Sequence, residues 1–382
     1  MSLAQLPDEL LISIFGRLSL EERHRALPLV SQRCWRLLCS PQLLHAMRVY
    51  IHGDTDEEAV PRLRSLARFL LLRGAGSVRQ LRLDLGSCGE EEHDTQIECM
   101  ALLAAAATAC SGLEDLQLQS QFTVTLSSWL LPLRGSLRAL RTVGFTCTIA
   151  ADSLGLLTAL QELEMGVYAD YVTIEEDARL PTSLTRLVLG SGHGSQSMPH
   201  QIGTLCNLRQ LFLQNPYEDA GSYAPLTRLS RLTTLKLLGC VPLTQLDLDL
   251  SSPGPLASLT ALTALRQLSW WAEPDIGSAA LPHGPWMQRL EALAAPDSLL
   301  AHSLPALEGA RSLQQLCSFA CRKPRGAQLR SVIRWAVQHP TLQRLLLGDR
   351  PLSSELWPEI GEAARVRPDL RIMNSTIAHI DC

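Results

Sequence analysis

Lysine is nearly missing from this chain. Only Lys236 and Lys323 occur, so arginine supplies the other 32 of 34 basic residues. Nor is there a surplus of positive charge: the formal net charge is −4, and no concentrated basic face of the kind nucleic acid requires is legible. Paired cysteines are also lacking. The eleven cysteines are odd in number, scattered, and include no Cys-x-x-Cys, which points to reduced thiols in a cytoplasmic or nuclear compartment. The longest apolar runs, around Ala101–Ala109 and Leu70–Leu72, fall far short of the roughly 20 residues a membrane span needs. The opening residues MSLAQLPDELL carry no basic stretch and no small-residue cleavage site, so no secretory signal is expected. Catalytic motifs are missing too: no Gly-x-Ser-x-Gly, His-Glu-x-x-His or kinase set occurs. The Gly-rich loop Gly190–Ser195 lacks the Lys-Ser/Thr of a phosphate loop. Cys317 and Cys321 lie four apart without histidines at zinc spacing, and an acidic loop around Glu90–Asp94 reads as solvated rather than metal-binding. No enzyme, cofactor or metal is expected.

What is present is leucine at a fixed interval. Leu208-Arg-Gln-Leu211-Phe-Leu213 recurs as Val78-x-x-Leu81-x-Leu83, Leu113-x-x-Leu116-x-Leu118, Leu160-x-x-Leu163-x-Met165 and Leu184-x-x-Leu187-x-Leu189. Further copies start at Leu232, Leu265 and Leu342, with weaker ones at Leu137, Leu290 and Leu313. First positions from 113 to 232 step by 24, 23, 24, 24 and 24 residues, inside the 20–29 window of leucine-rich repeats. Such an array escapes the usual length prior, because each unit packs only on its neighbours. The expected fold is therefore α/β, a leucine-rich-repeat solenoid with a curved parallel sheet on its concave side. Leucines at every third residue ahead of several strands, as in Leu226-x-x-Leu229-x-x-Leu232, suit 3₁₀-like segments in which i and i+3 eclipse. Thr95–Cys110 and Gln328–His339 read instead as helices on the opposite side. The phrase from Met198 to Leu208 resembles plant-type repeats. The family's Asn is mostly replaced, with Cys240 and Cys321 filling the position at two sites, which implies weaker coupling between repeats.

Side chains alternate along a strand, so leucines point inward and the residues between them face outward. On that reasoning Arg82, Gln117, Arg141, Glu162, Glu164, Arg186 and Gln210 line the concave face. Phe212, Lys236, Gln267, Trp271, Phe319 and Arg344 continue it. Mixed charge, recurrent glutamine and exposed aromatics are what recognition surfaces carry, so this face is the expected seat of a target protein. For Trp271 an equal alternative is that the Pro/Gly/Trp-rich stretch Trp270–Trp286 folds over it. Gly166–Leu180, with Tyr168 and Tyr171, is a candidate specificity loop, and Leu243-x-x-Leu246-x-Leu248 a partial repeat.

The first forty residues follow another pattern. Pro7, Asp8 and Glu9 open a helix, along which Leu10, Leu11, Ile14, Phe15 and Leu18 form one apolar stripe. Ser19-x-x-Glu22 is a capping box for a second helix, Pro28 ends it, and Val30, Cys34, Trp35 and Leu38 share a face of a third. Three helices in so few residues make a small core that wants a partner surface. Leu6-Pro-Asp-Glu-Leu-Leu, Ile14-Phe15, Leu18 and Val30-Ser31-x-x-x-Trp35 resemble an F-box over residues 4–44, about a tenth of the chain. The resemblance implies docking onto the adaptor subunit of an SCF-type cullin–RING ubiquitin ligase, and through it a cullin. By position, Leu6, Pro7, Leu10, Ile14, Leu18, Val30, Ser31 and Trp35 would be contacts or their direct supports. Arg23-His24-Arg25 and Pro28 depart from the family's Leu-rich second helix. Scarce lysine would suit a protein working beside a ubiquitin donor, although compositional bias explains it as well.

The expected organisation is an F-box helical domain at 4–47, a connecting helical segment at 48–77, the solenoid at 78–373 and a tail at 374–382. The implied function is substrate recognition for an SCF-type ligase. The alternative is a ligase-independent interaction scaffold whose helices merely cap the hydrophobic end of the array.

Overall fold

The computed structural model describes residues 5–375 apart from 19–21, 24–29, 52–55, 75, 87–92, 121–123, 144–146, 152–153, 168–171, 191–197, 215–219, 239–256, 272–279, 320–325 and 349–355. Ser19 and Pro28, most of the acidic loop, Tyr168, Tyr171, the loop Ser191–Ser195, Cys240, Cys321, the partial repeat at Leu243–Leu248 and the tail from 376 onward lie outside the described residues. The chain divides into two compact units, Met1–Leu184 and Thr185–Cys382, and each is described by itself.

In the first unit, helices α1 (Asp8–Phe15), α2 (Gln32–Leu38) and α3 (Pro41–Leu44) come first. The α1 stripe splits by one residue: Leu11 and Phe15 bury against Cys34, Leu37, Leu38 and Leu43. Ser31 starts α2 as its N-cap, its Oγ accepting from the Cys34 amide at 3.0 Å. Arg33 then ties α2 to the start of α1, its Nε donating to Asp8 Oδ1 at 2.8 Å and its Nη2 to the Leu6 carbonyl at 2.7 Å.

The sheet of this unit begins with β1 (Ala46–Tyr50), directly after α3. There follow α4 (Asp56–Phe69), β2 (Gln80–Asp84), α5 (His93–Ala109) and β3 (Asp115–Gln119). Then come β4 (Val124–Leu126), β5 (Ala139–Val143), β6 (Cys147–Ile149), β7 (Glu162–Val167) and β8 (Val172–Ile174). Strands β1, β2, β3, β5 and β7 pair in parallel, placing Met47, Leu81, Leu116, Leu140 and Leu163 side by side. The solenoid thus starts earlier than the reading of 48–77 as a helical connector had it. Ala46–Tyr50 carries no Leu-x-x-Leu-x-Leu phrase, but its Met47 supplies the same inward side chain. A second parallel sheet, β4–β6–β8, was also not anticipated, and it takes Val172–Ile174 of the supposed specificity loop into a strand. Beyond Arg141 the β5–β7 register slips by one residue at Gly166, whose φ of 70° is accessible mainly to glycine.

The second unit holds β9 (Arg186–Gly190), β10 (Gln210–Gln214), β11 (Thr234–Leu238), β12 (Gln267–Trp271) and β13 (Ala292–Pro296). After these come α6 (Asp297–Leu307), β14 (Gln315–Phe319), α7 (Gly326–Gln338), β15 (Arg344–Gly348), α8 (Trp357–Val366) and β16 (Arg371–Ser375). All eight strands pair in parallel in sequence order, and Leu187, Leu211, Leu235, Leu268, Leu293, Leu316, Leu345 and Ile372 form one ladder. Of the every-third-residue leucines, Leu226 sits in the 3₁₀ segment Ala220–Arg228 and Leu259 in Ala257–Ala261, whereas Leu154, Leu157 and Leu160 stand on turns outside any 3₁₀ segment. This is the α/β leucine-rich-repeat solenoid that the period predicted. Its repeated leucines are essentially inaccessible to solvent, and each contributes about 1.5–3 kcal/mol.

Hydroxyls tie neighbouring repeats at the turns that precede the strands, the end opposite the family's Asn position. Ser183 donates to the Leu160 carbonyl at 2.6 Å, Thr233 to Arg209 at 3.0 Å, Ser312 to Gln288 at 2.8 Å and Thr341 to Leu313 at 2.8 Å. Each bond spans one repeat, so neighbouring turns are coupled without the family's Asn.

Candidate interaction surfaces

Three surfaces hold the residues singled out above. On the N-terminal helices, Leu10 and Ile14 lie one turn apart and are 52% and 43% exposed, and Val30, just before the α2 cap, is 58% exposed. Pro7 is exposed beside them. Leu6, Leu18 and Trp35 are half-buried and pack on the helical core beneath, while Ser31 is committed to the α2 cap. The eight residues therefore divide into an outward apolar set and its support. An apolar side chain left in water gains the transfer free energy only when something covers it.

On the first unit's sheet, register sets Arg48, Arg82, Gln117, Arg141 and Glu164 in one row across β1, β2, β3, β5 and β7. One step earlier along the strands stands the row Ala46, Gln80, Asp115, Ala139 and Glu162. Arg141 sits between acids of both rows. Its Nη1 donates to Asp115 Oδ1 and Oδ2 at 3.0 and 2.8 Å and its Nη2 to Glu162 Oε2 at 3.0 Å, with Glu164 at 4.0 Å from Nε. Burial acts to lower the Arg141 pKa, but the bonds and charges of Asp115 and Glu162 outweigh it and the net shift is upward. Arg141, Glu162 and Glu164, predicted as target contacts, are thus brought together as one internally satisfied cluster.

At the other end of the same row a cavity of about 220 Å³ is lined by Ala46, Met47, Arg48, Gln80, Leu81, Arg82, Asp115 and Gln117. Arg48 stacks its guanidinium over the Tyr50 ring at 4.8 Å. The Arg82 Nε is buried and has no hydrogen-bond partner. Arg48 was not singled out in the sequence because it lies outside the repeat phrase.

On the second unit's sheet, Phe212 is flanked by two cations, the Arg186 guanidinium at 5.2 Å and the Lys236 ammonium at 5.1 Å from its ring centre. Gln210 and Arg344 are exposed, and Gln267 is half-buried, accepting from the Thr234 hydroxyl at 3.3 Å. Phe319 requires correction. It is only 4% exposed, packed with Ala294, Cys317 and Leu346, and Trp271 stacks on it with ring centres 4.2 Å apart and planes 15° from parallel. The physical reason is in the intervening strand. β13 carries only small side chains on this face, Ala294 opposite Cys317 and Pro296 opposite Phe319, too little bulk to keep the large rings of β12 and β14 apart, so they close over it. The signal was available in Ala292-Leu-Ala-Ala-Pro296, a strand with no polar residue between its apolar ones.

No protein-family model matches this chain. No curated protein matches it either. Solved structures do. An internalin of Listeria monocytogenes aligns over 98% of this chain and 94% of its own, at 14% identity and a TM-score of 0.40. A leucine-rich-repeat protein of Leptospira interrogans aligns over 97% and 98%, at 15% identity and 0.40. The TLR13–ssRNA13 complex aligns over 81% of this chain at 14% identity and 0.42; there the chain spans only 48% of its counterpart. Among the described residues no helix is long and apolar enough to cross a membrane.

Proposed function

We propose that this chain is a substrate-recognition subunit of an SCF-type ubiquitin ligase, its N-terminal helices docking to the adaptor and its repeats holding a target protein. The observation that carries this reading is the split of the α1 stripe. Leu11 and Phe15 close the helical core, while Leu10 and Ile14, with Val30 just before the α2 cap, stay outside it. Helices that served only to cap a solenoid would turn those side chains inward. The sheet faces supply the other half, with arginines, glutamines and Phe212 arrayed on rigid parallel strands. In this reading the chain contributes no catalytic residue and binds no cofactor. It acts by proximity, raising the target's effective concentration beside a charged ubiquitin donor, in the cytoplasm or nucleus.

The test is co-purification of the full chain with an SCF adaptor subunit. The double variant Leu10→Asp/Ile14→Asp should lose the adaptor while the chain stays folded, because neither side chain belongs to the helical core. A folded wild-type chain that captures no adaptor, or a double variant that still does, overturns the ligase reading in favour of a scaffold.

A further inference from the structure

We propose that Arg48 and Arg82 form a carboxylate-binding site on the first unit's sheet, occupied by an Asp or Glu side chain of an extended acidic segment of the target. The inference rests on the reading of this face as target-binding and names what the target presents there.

Arg141 shows how the fold satisfies an arginine in this row: a carboxylate stands one step earlier on each neighbouring strand, Asp115 on β3 and Glu162 on β7. The same positions around Arg48 and Arg82 are filled by Gln80 and Ala46, which carry no charge. Two acids share this face with Arg82: Asp115, both of whose oxygens Arg141 already engages, and Asp84, whose Oδ1 accepts from the Gly86 amide at 3.3 Å. Among the described residues neither Arg48 nor Arg82 has an ion-pair partner, and the buried Arg82 Nε has no acceptor at all. A guanidinium offers its donors in a planar fork that fits a carboxylate. Between the two arginines the sheet leaves a cavity of about 220 Å³, room for one side chain. Gln80 and Gln117 on its wall can bond a peptide backbone. The chemistry favours a single carboxylate over a phosphate dianion, because Asp115 lies on the same wall and would repel the second charge.

The probe is a fluorescein-labelled hexaglutamate peptide, followed by anisotropy on the full chain at low ionic strength, with hexaglutamine as its neutral counterpart. Hexaglutamate should bind and hexaglutamine should not. R48Q and R82Q should each weaken binding by about tenfold or more, R82K should fall between R82Q and wild type, and R344Q, on the second unit's face, should bind as wild type does. Acetate should displace the peptide at lower concentration than inorganic phosphate. Absence of hexaglutamate binding to the folded chain overturns the site. So does binding by R48Q and R82Q equal to that of wild type, an R344Q loss as large as theirs, or better competition by phosphate. Adaptor capture by R48Q and R82Q, measured in parallel, separates this failure from that of the ligase reading: it should remain intact whether or not the peptide binds.

Discussion

The outward sheet faces of the two units solve the same problem with opposite chemistry. Parallel strands with inward leucines leave every second residue pointing away from the core, and something must stabilise or solvate that row. In the first unit the answer is charge: Arg141 draws Asp115 and Glu162 across three strands, and the rest of the row stays polar. In the second unit, from β12 to β15, the answer is contact: Trp271 and Phe319 close over Ala294 beside Cys317 and Leu346. A polar row keeps its groups within reach of a ligand, whereas a collapsed apolar row spends that face on stability. Elsewhere on the second unit's outward face, Phe212 stands between two cations instead.

Three substitutions sharpen or break this contrast. The largest effect should come from Phe319→Ala, which empties the space beneath Trp271; chemical denaturation should show a loss of about 3–5 kcal/mol, and near-neutral stability would mean the ring is not part of the fold. Arg141→Met should come next. It leaves Asp115, Glu162 and Glu164 facing one another, and because the pair is partly solvated the loss should be smaller, about 1–2 kcal/mol. Raised salt should recover part of that loss, by screening the three acids; recovery of the same size in Phe319→Ala would erase the distinction between the faces. The smallest effect concerns Asp297, buried at the start of α6 where it accepts from the Ser318 hydroxyl at 2.5 Å. Burial raises its pKa above the ordinary 3.8, with the Ser318 bond pulling partly back. Its contribution to stability is therefore fully present below 3.8 and is lost as pH rises through the raised value. Asp297→Asn should gain on wild type in melting temperature as pH climbs from 3.8 toward neutrality, and a gap that narrows instead contradicts the protonated acid.

Much of this architecture was readable because the leucine period is long and strict, and parallel register converts period directly into neighbours. The strands that carry the phrase follow from it, and the helices at His93–Ala109 and Gly326–Gln338 from the Ala/Leu-rich and amphipathic patterns between them. What escaped was whatever depends on several strands at once. β1 has Met47 where the phrase has leucine, so no motif announces it, and with it Arg48 was passed over. The burial of Phe319 was decided by the small residues of the next strand, Pro296 beside it and Ala294 one step earlier, rather than by anything in its own phrase. Arg141 was recognised as outward-facing, but its engagement needed acids 26 and 21 residues away to fall on its flanks. Single-strand alternation reports direction; cross-strand sums decide availability.

The junction between helices and sheet has a further consequence. Only His45 separates α3 from β1, and its carbonyl accepts from both the Arg79 and Gln80 amides, at 2.9 and 3.0 Å. No tether hangs between the two parts of this unit. A molecule gripped by Arg82 would be presented at a set bearing to whatever covers Leu10 and Ile14, like cargo on a short stiff arm, and the reach available for modification would be decided by strand register instead of by chain flexibility.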